Sequence, residues 1–172
     1  MTTWRVNSCT YNFESSYLIT VKISDFFSKM AGYIHGLSQD VNSYTMFTYE
    51  NDASGTVGLA WTGTTCIDSV NKHYRSNINE FFHNVALTGS IVAHEIGHNL
   101  NMKHDFVNNP SKPRKCQADG SSCSGIGGVM DYYQPEINQW TCCSKCDFKK
   151  YFKSNNPFCL QVAGMSAFLQ IT

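Results

Sequence analysis

The sequence predicts a mixed α/β fold on three observations: short β-branched and aromatic runs, apolar spacings of helical period, and a cysteine-rich later region of weak periodicity. Tyr17 to Ile23 alternates loosely and carries several β-branched side chains, so it reads as a strand. Ser24 or Asp25 can cap a helix whose broad apolar face holds Phe26, Phe27, Met30, Ile34 and Leu37. Tyr44 to Tyr49 reads as a second strand, and Thr56 to Trp61, introduced by Gly55, as a third. A longer helical pattern begins around Asn79, and its apolar positions Val85, Ile91, Val92, Ile96 and Leu100 run into a histidine-rich segment. From 105 to 146 the chain is rich in Pro, Gly, Ser, Asn and Cys, which predicts a segment held by turns and disulfides more than by regular structure. A last short helix, Asp147 to Lys153, can start from Ser144 and bury Phe148 with Tyr151 or Phe152.

The chain has 172 residues, enough for one domain with a substantial core and too few for two ordinary ones. No repeat, low-complexity tract or linker divides it. Hydrophobic residues make up 42% and charged residues 15%, which excludes a wholly disordered protein. With 13 basic and 13 acidic side chains the formal charge is zero, so there is no basic field to hold nucleic acid or an anionic membrane. No stretch approaches the roughly 20 apolar residues of a membrane span. The start, Met1 to Val6, lacks the apolar core of a secretory signal, so a signal has been removed or the chain is a fragment. Eight cysteines (Cys9, Cys66, Cys116, Cys123, Cys142, Cys143, Cys146, Cys159) are an even count and favour an exported, extracellular origin.

The chemistry concentrates in His94-Glu95-Ile96-Gly97-His98-Asn99-Leu100-Asn101-Met102-Lys103-His104. On a helix, residues four apart are rotated by about 40° and stand one turn above each other, so His94 and His98 can offer nitrogens to one metal ion. Glu95 projects beside them and can reach a metal-bound water without being a ligand, a general-base arrangement. The helix cannot supply His104 in the same register, so the chain must turn back after Leu100. Asn101 stands where that turn is needed, and Asn is the best non-glycine residue for a left-handed helix end. Three protein ligands with an open fourth position describe a catalytic zinc site; a structural one is closed. His35, His73 and His83 have no such company and read as solvated or structural histidines.

At these residues the sequence resembles the metzincins, and among them the adamalysin (reprolysin) branch of snake-venom, disintegrin-type and tick salivary metalloproteases. The extended histidine motif followed by Asp105 carries the resemblance, together with Gly127-Gly128-Val129-Met130-Asp131-Tyr132, which looks like the family's methionine turn. Thr56 to Cys66 resembles the family's edge strand and following cysteine, and Trp140-Thr141-Cys142-Cys143-Ser144 its segment before the last helix. The likeness covers roughly residues 24 to 160.

The resemblance implies a metzincin-like catalytic domain: a mixed twisted sheet and active-site helix (about 1–104) above an irregular disulfide-held lower part (about 105–172), with a cleft between. It also implies that the family's first strand and helix are missing, so that the single domain 1–172 is N-terminally truncated. The implied activity is that of a secreted zinc endopeptidase acting on protein or peptide substrates, with one catalytic zinc on His94, His98 and His104 and Glu95 as general base. Met130 is implied to pack under the imidazoles. Gly58, Leu59 and Ala60 are implied to pair with substrate as an added strand, and Asp131, Tyr132, Tyr133, Gln134 and Pro135 to wall the pocket after the scissile bond. The family's structural calcium residues lack counterparts: the early Glu is absent, Asn42 falls near the Asp position and Val162 stands where Asn is expected, which leaves calcium doubtful. The implied disulfides are Cys66–Cys159 and Cys116–Cys143. A rival grouping takes Cys116, Cys123, Cys143 and Cys146 as a structural zinc site, and Cys143 with Cys146 also has the spacing of a redox pair. The rival function is a non-catalytic zinc-bearing binding module of a secretion. The sequence is silent on oligomeric state.

Overall fold

A computed structural model describes residues 23–37, 43–49, 55–107, 109–118, 121–125, 127–131, 139–155 and 158–160. Helix α1 (Ile23–Gly36) presents Phe27, Met30 and Ile34 to the core, the i, i+3, i+7 stripe expected of a helix lying on a sheet. Ile23, placed in a strand from its sequence, opens this helix; the rest of that expected strand lies outside the described residues.

The sheet beneath α1 has the order β1-β3-β2, with β1 (Tyr44–Thr48) parallel and β2 (Gly58–Ala60) antiparallel to β3 (Ser76–Glu80). In register, Met46 and Leu59 flank Ile78. All three face α1, and Ile78 is wholly buried with Phe27, Met30 and Ile34 around it. Because side chains alternate along a strand, Asn77 and Asn79 point to the opposite face. That face is covered by helix α2 (Val85–Asn99), so the sheet is sandwiched between two helices.

Central strand β3 corrects the sequence reading, which began a helix near Asn79. The helix begins at Val85 instead, with Asn84 as N-cap accepting from the backbone N–H groups of Ala86 and Leu87 at 3.0 and 3.2 Å. Ser76-Asn77-Ile78-Asn79-Glu80 carries one apolar residue and no apolar alternation, yet every residue of it is buried. Polar groups survive there because they are bonded to one another. Asn77 Nδ2 donates to Asn99 Oδ1 (2.9 Å) and Asn79 Nδ2 donates to Asn77 Oδ1 (2.8 Å). Asn99 Nδ2 in turn donates to the carbonyls of Trp61 (2.8 Å) and Ser76 (3.2 Å). This amide relay ties the last turn of α2 to the sheet. The buried stripe of α2 is accordingly Thr88, Ile91, His94, Glu95, Gly97 and Asn99, while Val85 and Ile96, two apolar positions of the helical pattern, are exposed.

Beyond the helix, the segment expected to lack regular structure contains three strands: β4 (Phe106–Val107), β5 (Asn109–Ala118) and β6 (Ser121–Gly125), antiparallel in that order. The last helix is longer than expected, α3 (Cys142–Asn155). The Cys116–Cys143 disulfide joins α3 to β5 across a Cα separation of 5.6 Å. Cys66–Cys159, with a Cα separation of 5.4 Å, joins the loop after β2 to the chain beyond α3. Tyr151, buried in α3, donates its hydroxyl to the carbonyl of Thr65 in that same loop. The four-cysteine zinc grouping and the Cys143–Cys146 redox pair are both excluded: Cys143 and Cys116 are bonded to each other, and zinc takes thiolates. Among the described residues, no helix is long and apolar enough to cross a membrane.

Candidate metal centre

The site is assembled by how α2 ends. Leu100 closes the helix and Asn101 adopts a left-handed φ of +67°, the turn its sequence position required. The N–H of Asn101 bonds the carbonyl of His98 (2.8 Å) and that of Met102 the carbonyl of Gly97 (2.9 Å), the paired bonds of a Schellman end. The loop after β2 fastens the same turn from outside. Gly63 N–H reaches the His98 carbonyl (2.8 Å), and Thr64 and Thr65 N–H reach that of Asn99 (3.0 and 3.1 Å). Carbonyls that a helix leaves unpaired are thus satisfied, and the chain reverses so that His104 returns to His94 and His98.

The three imidazoles converge. One ring nitrogen from each can be chosen so that all lie within 4.8 Å of one another, and His98 Nε2 stands 3.0 Å from His104 Nε2. His94 Nδ1–H donates to the Val129 carbonyl (2.8 Å) and His98 Nδ1–H to the Met102 carbonyl (2.9 Å). These bonds fix both rings in the tautomer whose Nε2 lone pair points inward. His104 stacks on Phe106, with ring centroids 4.8 Å apart and planes 12° from parallel. Burial pushes each imidazole down to about 4, and for each of them a neighbouring imidazole adds to the effect. Three neutral nitrogen donors, two of them aimed by backbone carbonyls, fit a zinc ion in its nitrogen-rich catalytic ligand set.

Glu95 lies one residue past His94, against the sheet. A Cβ built on Gly58 would stand 2.5 Å from Glu95 Oε1, so the carboxyl occupies the room left by the missing side chain. Burial holds this carboxyl up, at about 8. A cleft of about 750 Å³ is lined by both residues and the three histidines. It is also lined by the rest of Gly55–Ala60, by Leu87, Ser90 and Ile91 of α2, and by Val129 and Asp131.

The floor is built by residues from the lower part. Met130 is wholly buried, and its sulfur packs so closely on Gly97 that a Cβ there would lie 2.5 Å from it. Asp105, also wholly buried, anchors this floor. Its Oδ1 accepts from the hydroxyls of Thr141 (2.6 Å) and Ser144 (3.2 Å), and its N–H donates to the Met130 carbonyl (3.0 Å). The turn at 127–131 therefore contributes twice to the imidazoles: Val129 orients His94, and Met130 is tied by its carbonyl to Asp105, the residue after His104.

Of the residues singled out from sequence, the structure brings His94, Glu95, His98, His104, Gly58, Leu59, Ala60 and Asp131 to one cleft, while Met130 is buried against Gly97 of the same helix. Tyr132, Tyr133, Gln134 and Pro135 lie outside the described residues, as do Asn42 and Val162. The sequence reading missed Asn77, Asn79 and Asn99, the relay that holds the motif helix on the sheet, and Thr141 and Ser144 under Asp105. Asn and Thr at such positions look like surface residues until their partners are seen.

A family model described as Metallo-peptidase family M12, of the reprolysin type, matches residues 5–150. Similar proteins include human disintegrin and metalloproteinase domain-containing protein 9, 34% identical over 110 residues that cover 62% of this chain and 11% of that protein. Snake venom metalloproteinase fibrolase of Macrovipera lebetinus is 31% identical over 110 residues, covering 61% of this chain and 46% of its own length. A zinc metalloproteinase-disintegrin-like protein of Cerberus rynchops is 30% identical over 105 residues, covering 61% of this chain and 15% of its own length. The matched stretch thus spans less than half the length of each of these relatives.

Proposed function

The chain belongs to the M12 metallo-peptidases of the reprolysin type, and from that membership we propose that it is a secreted zinc endopeptidase in which His94, His98 and His104 hold the ion and Glu95 is the general base. The convergence of three neutral imidazoles, two of them oriented by backbone carbonyls, beside one buried carboxyl is the observation that carries this reading. A zinc ion bound there supplies Lewis-acid polarisation of the scissile carbonyl and acidifies the attacking water.

The remaining steps belong to the protein. Glu95 takes a proton from the attacking water and delivers it to the leaving amine, the two transfers that peptide hydrolysis requires. Its carboxyl, held up near 8 by burial, lies close to neutral pH, and a cation beside it favours the charged form that accepts the proton. Among the described residues β2 is an edge strand, so its outer side can add an extended substrate backbone as a further strand and set the peptide bond over the histidines. Asp131, which lines the cleft, walls the pocket next to the cleaved bond. The parts on either side of His104 act together as one catalytic domain. The disulfides support an exported location.

A non-catalytic zinc-bearing module has no need of a carboxyl kept clear for proton transfer, so the Gly58–Glu95 packing favours the enzyme. The test is cleavage of a denatured protein by the purified chain. Activity that a chelator abolishes and added zinc restores supports the reading, and absence of cleavage by the zinc-loaded protein contradicts it.

A further inference from the structure

The third histidine stands on a different kind of backbone from the first two. His94 and His98 are carried by α2, and the Nδ1 of each meets a main-chain carbonyl. His104 lies past the helix end, outside regular structure, and is half-buried. Its ring meets those of His94 and His98, at centroid distances of 5.2 and 4.7 Å, and that of Phe106 at 4.8 Å. Of these, Phe106 is the near-parallel one: its plane is 12° from that of the imidazole, against 35° and 72° for the two histidines. A phenyl face therefore covers a face of His104. Phe106 is itself on pinned backbone. It opens β4 opposite Pro113 of β5, and the Asp105 before it donates its N–H to the Met130 carbonyl (3.0 Å) and accepts the Arg114 N–H at its own carbonyl (2.8 Å). The ring of Phe106 is a fixed surface against which His104 is laid. An imidazole that holds a cation is electron-poor, and the face of a phenyl ring carries the negative part of its quadrupole. The stack is accordingly stronger in the metal-bound state than in the empty one, so it adds to affinity as well as to order.

We infer that Phe106 is a positioning residue for the metal centre, holding the His104 ring by stacking so that the site keeps its ion. The inference rests on the assignment of His104 as a zinc ligand and adds the side chain that keeps this ligand in place. Partners outside the ligand set that fix a ligand's ring are part of what sets a site's affinity.

The experiment uses the whole chain. Zinc affinity is measured by competition with a chelator, and the ligand field by visible absorption after Co²⁺ replaces zinc. Phe106→Leu keeps an apolar side chain but removes the aromatic face, so zinc affinity should fall by about fivefold, the size of one aromatic stack, and the Co²⁺ bands should shift. Phe106→Tyr keeps the face and should restore both to the parental values. Val107→Ala, at the exposed next position of the same strand, should change neither. In the zinc-loaded parent, a ring proton of His104 should resonate upfield of its counterparts in His94 and His98, an arm that stands even if Phe106→Leu fails to fold. Parental zinc affinity with unchanged Co²⁺ bands in Phe106→Leu overturns the inference and leaves the ligand assignment intact. So does an equal loss in Phe106→Tyr, or a His104 ring without an upfield proton. Failure of the parent to bind zinc overturns the ligand assignment and the inference with it.

Discussion

Gly58 and Glu95 share one space: the carboxyl of Glu95 lies where a Cβ on Gly58 would be, 2.5 Å from Oε1 and 2.9 Å from both Cγ and Cδ. Contacts that short are sterically forbidden, so any side chain at 58 must displace the glutamate. The glycine in β2 is therefore a condition on the position of the proposed base.

Gly58→Ala should leave zinc affinity close to that of the parent, since the added Cβ collides with Glu95 and Glu95 is not a ligand in this account, while kcat falls by about 100-fold, the cost of misplacing a reacting group by about 1 Å. Zinc titration beside steady-state kinetics checks this. A variant with unchanged kcat shows that Glu95 does not need its present place.

The turn at Asn101 gives a second expectation. With φ at +67°, a left-handed residue other than glycine costs roughly 1–2 kcal/mol, and a β-branched one costs more. Asn101→Gly should match or slightly improve zinc affinity, and Asn101→Val should weaken it by about tenfold or more. Equal zinc dissociation constants for Val and the parent contradict the assignment of His104's return to this turn.

Asn77 sits between Asn79 and Asn99, giving one hydrogen bond and accepting another. Asn77→Ala strands Asn99 Oδ1 in the interior and leaves Asn79 Nδ2 with its 3.4 Å bond to the Met46 carbonyl; an orphaned buried group costs about 1–3 kcal/mol. Denaturant unfolding should show a loss of about 1–3 kcal/mol. A change of less than about 0.5 kcal/mol, the ordinary effect of a surface substitution, defeats the relay as a support for α2.

Much of the metal centre was legible in the sequence because spacing dictates it: His94 and His98 must share a helix face, and Asn101 is where a turn can form. The sheet's middle was not legible. Ser76-Asn77-Ile78-Asn79-Glu80 looks solvent-loving, and only the partners of Asn77 and Asn79 explain its burial. Val85 and Ile96 lie in the helix their spacing indicates yet are exposed, since such spacing marks a face without saying what covers it, and the sheet covers another. The β5–β6 hairpin was hidden by Pro, Ser and Cys, residues that usually punctuate strands. Gly58 carried no sign of its packing on Glu95, because closeness between a strand and a helix has no local signature.

Acid should release zinc later than from exposed histidines. The imidazoles are pushed down to about 4 by burial, so their neutral, metal-binding forms persist as pH falls and are lost only as it approaches that value. Between pH 7 and pH 5 zinc affinity should change by less than about tenfold. Three imidazoles with ordinary pKa near 6.5 lose about 10⁴-fold over that interval through protonation alone. A competition titration across this range decides between the two, and the steep loss contradicts the buried, neutral triad.

The most direct test of the account is zinc content and proteolysis measured together in Glu95→Gln. The amide is nearly isosteric, fits beside Gly58 and cannot accept a proton from water. The account predicts about one zinc per chain, as in the parent, with cleavage of a denatured protein reduced by about 10²-fold or more. Proteolysis at the parental rate, or loss of the zinc, contradicts the role of Glu95 as a base that is not a ligand.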